Sequence, residues 1–365
     1  MLNNRIILLV GESHFLKSGP GREAHFLFGN TNDWIRDNFP DWNVLSVAHS
    51  DIRIEGRNVF ITQTESRITK VERIIPLCSY RLSLHPRVTK VSLLLEKLGV
   101  PCFNSAIVSR ITNNKIETHE VLTKANIPAP KTLAINLPLD REEISKRLST
   151  FSAKYIVLKS NQGSSRHRVQ IFPIERIDKM LAHAMKLLNR VKKTVLIQEK
   201  VKFNVSYKVY LCDCPGQGLV AFAGEARLLF QNKFINLYCG FDLMFKYLCT
   251  LAKIRKLNLT VYNNNNKLKE EVHGLAEKAG LAIARYSQGK YGRSPTILVP
   301  EIMFNLEALS SNCFQFKPVV IEVNSFPGSH ELDKTAPNEI VKFRKAVANS
   351  IKSFCMNQIR CNGEI

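Results

Sequence analysis

The sequence predicts a protein of the α/β and α+β class, with an N-terminal α/β domain followed by a region of antiparallel strands. Over roughly the first hundred residues, apolar runs typical of strands alternate with segments of helical spacing, which favours a largely parallel sheet. After residue 155, strand-like runs are joined by turns such as Cys214-Pro215-Gly216, which indicates antiparallel pairing. The chain has 365 residues and 45% hydrophobic content, enough for about two or three packed domains.

The N-terminal domain is assigned to residues 1–105. Its helix is expected over residues 88–98, because Gly99 stands where a glycine commonly ends a helix. Strands are expected where apolar residues cluster, at residues 6–10, 44–47, 58–62 and 73–77. The run 6–10 is too short for a membrane span or a secretory signal, because Glu12 soon interrupts it. No membrane segment is therefore expected.

Residues 106–195 are expected to form the next unit, which includes a phosphate-binding loop. A helix over residues 115–125 is expected to end before Pro128, since proline cannot continue it. A strand over 155–159 leads into small residues at 161–165, and a helix follows over 175–188. Such a loop can surround phosphate oxygens with backbone N–H groups, and Lys159 at the strand end adds a positive charge.

Residues 196–365 are expected to hold a second sheet. Strands at 195–198, 207–212 and 218–222 are expected to pair antiparallel. A helix over 267–284 has an apolar face that is expected to pack on this sheet, and after an irregular stretch a further strand covers 297–304. Two segments are expected to be insertions, namely residues 241–267 and 306–317.

The segment Ile-Glu-Val-Asn-Ser-Phe-Pro-Gly at residues 321–328 predicts a metal site. Glu322 and Asn324 are two apart on a strand, so their side chains point to the same face. Antiparallel pairing with the preceding strand would bring Glu301 beside them. Carboxylate and amide oxygens are ligands that Mg²⁺ prefers. Taken alone, the segment is equally compatible with a polar strand end capped by a turn.

The charge of the chain favours anionic partners. It has 52 lysines and arginines against 31 aspartates and glutamates, a net charge of +21. Nucleotides, phosphorylated substrates, acidic polypeptides and nucleic acid all fit this charge, and so does a solvated basic surface without a specific partner. Nucleic acid is not expected as the primary partner, because no base-reading or stacking motif accompanies the charge. Nine cysteines without regular spacing fit reduced thiols in a cytoplasmic protein.

The order of these features resembles the ATP-grasp superfamily. Lys115 and Lys159 come first, Gln198-Glu199-Lys200 follows at a strand end, and a basic residue on the next strand precedes the metal acids. The closest likeness is to the branch of ribosomal-protein glutamate ligases and lysine-biosynthesis ligases, related to glutathione synthetase. It extends over residues 73–328.

Three segments carry the likeness to that branch. Residues 100–132 look like its linker and first lysine helix. Arg227, followed by residues 233–237, looks like its substrate-side arginine and asparagine segment. Residues 321–328 look like its metal strand. The order of the three is far more specific than any one of them.

The resemblance implies a pre-ATP-grasp α/β domain followed by a two-lobed ATP-grasp fold that holds ATP between two sheets. The implied cofactors are ATP and one or two Mg²⁺ ions, and the implied substrates are a carboxylate and an amine. The implied cofactor-binding residues are Lys115, Lys159, Gly163, Ser164 and Ser165, together with Glu199, Lys200 and Val201 as an adenine hinge. The implied metal ligands are Glu301, Glu322 and Asn324, and the implied catalytic residues are Arg227, Lys208 and Asn236.

The implied activity is that of an ATP- and Mg²⁺-dependent carboxylate–amine ligase. It would form an amide or peptide bond through an acyl phosphate, on an amino acid or on an acidic peptide or protein. Two alternatives stay open. The loop 163–168 lacks the further glycines that are usual near Arg166 and Arg168, which is compatible with a nucleotide-binding module without catalysis. The run Tyr207-Lys208-Val209-Tyr210 is also similar to inositol-phosphate kinases that share this fold.

Overall fold

The structure is a computed structural model. It describes residues 5–11, 34, 37–65, 68–81, 86–103, 105–162, 169–191, 194–203, 205–230, 233–239, 265–304, 317–325 and 337–361. Three sheets and seven α-helices lie in these ranges. None of the described helices is both long and apolar enough to cross a membrane.

The N-terminal sheet has six strands. They are β1 (Arg5–Gly11), β2 (Val44–Ala48), β3 (Ile52–Glu55), β4 (Asn58–Glu65), β5 (Ile68–Arg81) and β6 (Cys102–Phe103), and helix α1 (Pro86–Lys97) packs on them. Strand β1 pairs in parallel with β2 and β5, and β6 pairs in parallel with β5, but β3, β4 and β5 pair antiparallel. The sheet is therefore mixed rather than largely parallel, because only Gly56 and Arg57 join β3 to β4 and a parallel connection needs about a dozen residues.

Two helices follow this sheet, α2 (Val108–Asn113) and α3 (Lys115–Lys124). Asn114 separates them and caps α3, because its side-chain oxygen accepts a hydrogen bond from the backbone N–H of Glu117 at 3.3 Å. Asn126 follows α3 with a φ of 56°, a conformation that asparagine tolerates at helix ends. The predicted helix with Lys115 at its start is confirmed.

The second sheet has four antiparallel strands in the order β7-β10-β8-β9. They are β7 (Thr132–Ile135), β8 (Tyr155–Ser160), β9 (Gln170–Pro173) and β10 (Val195–Glu199), with helices α4 (Arg141–Leu148) and α5 (Ile177–Val191) packed on one face. The expectation that β10 belongs with the strands after it is wrong. Val195, Leu196 and Ile197 are all buried, as in a central strand, and β10 lies between β7 and β8.

The third sheet has five antiparallel strands in the order β13-β12-β11-β14-β15. They are β11 (Val205–Cys214), β12 (Gly218–Phe230), β13 (Lys233–Cys239), β14 (Ile297–Phe304) and β15 (Val319–Asn324). Helix α6 (Asn265–Tyr291) covers one face, and helix α7 (Pro337–Cys361) packs between the other face and the N-terminal sheet. Most of the two predicted insertions, residues 241–264 and 306–316, lie outside the described residues.

The apolar face predicted for α6 is confirmed. Its members are buried in the core beneath the third sheet: Leu268, Val272, Leu275, Ala276 and Ala279. The helix continues to Tyr291, across part of the stretch that was expected to be irregular. Helix α7 was not predicted, although Phe343 and Val347 are fully buried in the core that joins the third sheet to the N-terminal sheet.

Changing Gly224 to alanine is expected to destabilise the third sheet. A Cβ atom at this position on β12 would lie 1.9 Å from the ring of Tyr207, which is fully buried on β11. The ring must move within a packed core, and overpacking of this kind costs about 1–3 kcal/mol. The free energy of unfolding in urea measures the effect. Gly274→Ala on α6 is the control, since its Cβ would meet no atom within 4 Å; an equal loss in both variants would contradict the packing argument.

Candidate active site

A cleft lies between the four-stranded and five-stranded sheets, where both present polar side chains. Thr132, Lys159 and Gln198 line it from the four-stranded sheet, whose opposite face is covered by α4 and α5. Glu322 lines it from β15, and Lys115 lines it from the first turn of α3. The two lysines predicted to bind phosphate and one predicted metal ligand therefore share one cleft.

Hydrogen bonds of Asn161 explain why the two lysines come together. Asn161 lies just beyond β8, two residues after Lys159. Its Oδ1 accepts from the backbone N–H of Ile116 at 3.1 Å, and its Nδ2 donates to Oδ1 of Asn114 at 2.9 Å. These bonds tie the end of β8 to the start of α3, which carries Lys115.

Lys159 is held by a chain of side-chain hydrogen bonds. Its Nζ donates to Oε1 of Gln198 at 2.8 Å, and Nε2 of Gln198 donates to Oγ1 of Thr132 at 2.8 Å. Burial lowers the pKa of Lys159, Glu322 opposes the shift and Lys115 adds to it, and the resulting pKa is about 8. A cation this poorly solvated would be stabilised by an anion in the cleft. Sequence analysis gave Gln198 no role of its own, because its partners lie far away along the chain.

The register of three strands places Lys208, Glu301 and Glu322 in one row. Glu301 is the Cα partner of Glu322 on β15 and of Lys208 on β11. Directly opposed residues on neighbouring strands point to the same face of a sheet. Asn324 extends the row along β15, and its Nδ2 donates to Oε1 of Glu322 at 3.1 Å. The predicted antiparallel pairing of the two acidic strands is confirmed.

Glu322 is ionised although it is surrounded by protein. Burial raises the pKa of its carboxyl, but one hydrogen bond and three positive charges outweigh this and lower the pKa below its usual value. The hydrogen bond comes from Asn324, and the charges belong to Lys115, Lys159 and Lys208. Burial also lowers the pKa of Lys115, and the charge of Glu322 opposes that shift. Carboxylate and ammonium groups thus stabilise one another across the cleft.

The oxygen atoms in this row fit a magnesium ion with few protein ligands. Glu301, Glu322 and Asn324 present carboxylate and amide oxygens from adjacent strands. In the part of the chain that the structure describes, no group of three or more His, Cys, Asp or Glu side chains is placed to hold a metal. Mg²⁺ commonly binds through one or two carboxylates and completes its shell with phosphate oxygens and water. Two lysines across the cleft are suited to hold those phosphates.

Sequence analysis overlooked His119, which also lines the cleft. It follows Lys115 by one helical turn on α3, so the two side chains share one face of the helix. Burial and the charge of Lys159 lower the pKa of His119 to about 4, which keeps the imidazole neutral at physiological pH. The spacing of four residues from Lys115 is the sequence signal that could have found it.

Comparisons with known proteins bear on the fold. No protein-family model matches the sequence, and no curated protein matches it significantly. D-alanyl-alanine synthetase A from Vibrio cholerae is 14% identical, with 98% of this chain and 99% of that chain covered and a TM-score of 0.60. VanG D-Ala:D-Ser ligase from Enterococcus faecalis is 11% identical, with coverages of 96% and 99% and a TM-score of 0.61. The ATP-grasp ligase PsnB, solved with minimal precursor, Mg and ADP, is 13% identical, with coverages of 97% and 98% and a TM-score of 0.52.

The chain has the ATP-grasp fold. This confirms the predicted fold class, and the cleft described above lies between the two lobes of the ATP-grasp unit, the four-stranded and five-stranded sheets. The six-stranded sheet precedes them in the chain, as expected for the pre-ATP-grasp domain. The division at residues 105 and 195 stays a prediction, as does the glutamate-ligase branch.

In this ATP-grasp fold, the predicted adenine hinge lies between the two lobes. Residues 200–203 run from β10 to β11 and so connect the two sheets. The Glu199 carboxylate accepts a hydrogen bond from the backbone N–H of Ser152 at 2.6 Å, and the Lys200 N–H donates to the Tyr155 carbonyl at 3.0 Å. These bonds fix the start of the connection, which Val201 continues. Its contact with adenine stays a prediction.

The side chains of five further predicted site residues lie outside the described part of the structure. Gly163, Ser164 and Ser165 lie outside the described residues. Arg227 lies on β12 as the Cα partner of Ser206, and Asn236 lies on β13. Their proposed roles stay predictions. Lys208, the remaining predicted catalytic residue, belongs to the row described above.

Proposed function

We propose that this protein is an ATP- and Mg²⁺-dependent ligase that joins a carboxylate to an amine. The row of Lys208, Glu301 and Glu322 on the five-stranded sheet, facing Lys115 on α3 and Lys159 on the four-stranded sheet, carries the proposal. A triphosphate with a bound divalent cation is complementary to such a cleft, because the lysines attract phosphate oxygens and the carboxylates attract the metal. The matched structures are named as ligases or synthetases, and that of PsnB contains Mg and ADP.

Each residue of the cleft has a proposed task. Lys115 and Lys159 bind phosphate oxygens, and the hydrogen bond to Gln198 orients Lys159. Glu301, Glu322 and Asn324 hold Mg²⁺, which when bound neutralises charge on the transferred phosphoryl group. Lys208 and Arg227 are assigned to the phosphoryl and substrate side. Neutral His119 adds no further positive charge beside the lysines.

In the proposed reaction, an oxygen of the substrate carboxylate attacks the γ-phosphorus of ATP, and ADP leaves. The amine then attacks the acyl carbon of the acyl phosphate, inorganic phosphate leaves, and the nitrogen loses one proton to form the amide. A cleft closed by protein protects the acyl phosphate from water. An amino acid or an acidic peptide is the proposed substrate class, since the net charge of +21 favours anions.

A substrate screen tests this function. Amino acids and acidic peptides are supplied in pairs with ATP and Mg²⁺, ADP release is followed, and the product is identified by mass spectrometry. We expect ADP release that requires both a carboxylate and an amine, with loss of one water from the joined product. A phosphorylated polyol without an amide would instead identify a kinase. Nucleotide binding without ADP release for any substrate would identify a module without catalysis.

ATP affinity is expected to fall as the pH rises above about 8. Lys159 must be protonated to bind phosphate, and with a pKa of about 8 it loses its proton above that pH. The ATP affinity then falls by up to about tenfold per pH unit. In Lys159→Arg the guanidinium stays protonated, so the decline is expected to disappear. Isothermal titration of ATP from about pH 7.5 to 9.5 measures both proteins. The same decline in the arginine variant would show that another group titrates.

A further inference from the structure

We infer that Arg81 positions the metal-binding strand β15 through a hydrogen-bonded chain formed by Ser109 and Ser325. Arg81 is the last residue of β5 in the N-terminal sheet, far from the cleft along the sequence. The inference rests on the proposed function, because it assigns a task to the N-terminal domain in holding Mg²⁺ with the nucleotide.

The environment of Arg81 is unusual for an arginine. Its side chain is 1% exposed, and burial lowers the pKa of its guanidinium. Among the described residues no carboxylate forms an ion pair with it. Its hydrogen-bond partners are two hydroxyls, Oγ1 of Thr89 at 3.3 Å from Nη1 and Oγ of Ser109. The nearby charge of Glu96 opposes the shift of the guanidinium pKa. Burying a charge whose direct hydrogen-bond partners are neutral is still costly, so packing alone does not account for an arginine here.

The hydrogen bonds of Ser109 carry the connection onward. Its hydroxyl oxygen accepts from Nη2 of Arg81 and from Oγ of Ser325, the latter at 2.9 Å, and its proton goes to the carbonyl of Ser105 at 3.2 Å. A guanidinium only donates and a carbonyl only accepts, so with the Ser109 proton on the Ser105 carbonyl, Ser325 is the donor to Ser109. Ser325 is 2% exposed and directly follows Asn324. The chain therefore runs from the N-terminal sheet to the end of the metal strand.

Ser109 also lies on the path to the lysine side of the cleft. It belongs to α2, which leads through the cap residue Asn114 into α3 and Lys115. The buried Ser109 hydroxyl thus links the strand that carries Glu322 to the helix pair that leads to Lys115. Side chains that orient metal ligands commonly contribute about 10-fold to 100-fold to metal affinity.

Manganese binding in the presence of ADP tests the inference. The electron paramagnetic resonance signal of free Mn²⁺ gives the half-saturating metal concentration, and ADP affinity is measured separately with EDTA present. For Arg81→Met and for Ser109→Ala we expect half-saturation at about tenfold higher Mn²⁺, with ADP affinity in EDTA unchanged. Thr89→Ala is the matched control, because Thr89 accepts from the same guanidinium but does not contact Ser325. Its metal binding is expected to equal that of the wild type.

Three results would overturn the inference. One is an unchanged Mn²⁺ requirement in a folded Arg81→Met protein, and another is an equal shift in Thr89→Ala. If Arg81→Met does not fold, Ser109→Ala and Ser325→Ala test the inference instead, since both keep the guanidinium. The third overturning result is an unchanged Mn²⁺ requirement in both of these variants. If the wild type binds no nucleotide with or without metal, the proposed function fails and the inference falls with it. If the wild type binds ADP and Mn²⁺ together, only the role of Arg81 is at stake.

Discussion

Replacing Glu322 with glutamine is expected to abolish the dependence of ATP binding on Mg²⁺ and to lower turnover at least about 100-fold. Glutamine can still accept the hydrogen bond from Asn324, so the strand end keeps its shape. What is lost is a negative charge opposite Lys115 and Lys159 and an oxygen ligand for the metal. Isothermal titration of ATP with Mg²⁺ and with EDTA measures the first effect, and ADP release under the best substrate pair measures the second.

A second consequence separates this variant from a general loss of structure. The charge of Glu322 raises the pKa of Lys159, so without it that pKa should drop below about 8 and the decline of ATP affinity should begin at lower pH. Glu143→Gln on the exposed face of α4 is the control and should change neither quantity. Unchanged Mg²⁺ dependence in Glu322→Gln would refute the metal assignment.

Replacing Lys159 with methionine is expected to lower ATP affinity about 100-fold without lowering thermal stability. The affinity falls because a charged hydrogen bond to phosphate, worth up to about 3 kcal/mol, is removed. Stability is preserved because, without bound nucleotide, the buried ammonium group destabilises the folded state. Lowering its pKa from 10.5 to about 8 corresponds to about 3 kcal/mol against the folded state at neutral pH. Leaving Oε1 of Gln198 without its donor costs about 1–3 kcal/mol in the other direction.

Scanning calorimetry without nucleotide and titration with ATP measure the two halves of this prediction. Lys179→Met on α5 is the control, since Lys179 is exposed and lies outside the cleft; it should leave ATP affinity unchanged. A large fall in melting temperature for Lys159→Met would show that the lysine serves the fold rather than a ligand. Retained ATP affinity would remove Lys159 from the phosphate site.

Features written in local sequence were predicted well. The alternation of side chains along a strand placed Glu322 and Asn324 on one face, and the neighbouring strand signal at 297–304 placed Glu301 opposite Glu322. The end of α3 before Pro128 was predicted because proline cannot continue a helix, and the structure shows that Asn114 caps its start. These rules act over a few residues, so one sequence is enough to apply them.

Features that depend on distant parts of the chain were missed. Gln198 has its role because β8 and β10 are adjacent and set it beside Lys159. Strand β10 was placed in the wrong sheet, since its apolar residues fit a central strand of either sheet. Arg81 gave no signal at all, because its path to the metal strand passes through Ser109 on another element. Contacts between residues that are far apart in the sequence leave no pattern in the local sequence.

The sequence by itself determined the kinds of groups present: lysines in a helix start and at a strand end, two glutamates and an amide in apolar strands, and a strongly basic surface. The order of these motifs was enough to predict the fold. Only the tertiary structure decided that the glutamates share a row with Lys208 and that Lys159 is buried against Gln198. The reason is physical: the charge state and reach of a group depend on burial and on neighbours across the cleft, which spacing along the chain does not fix.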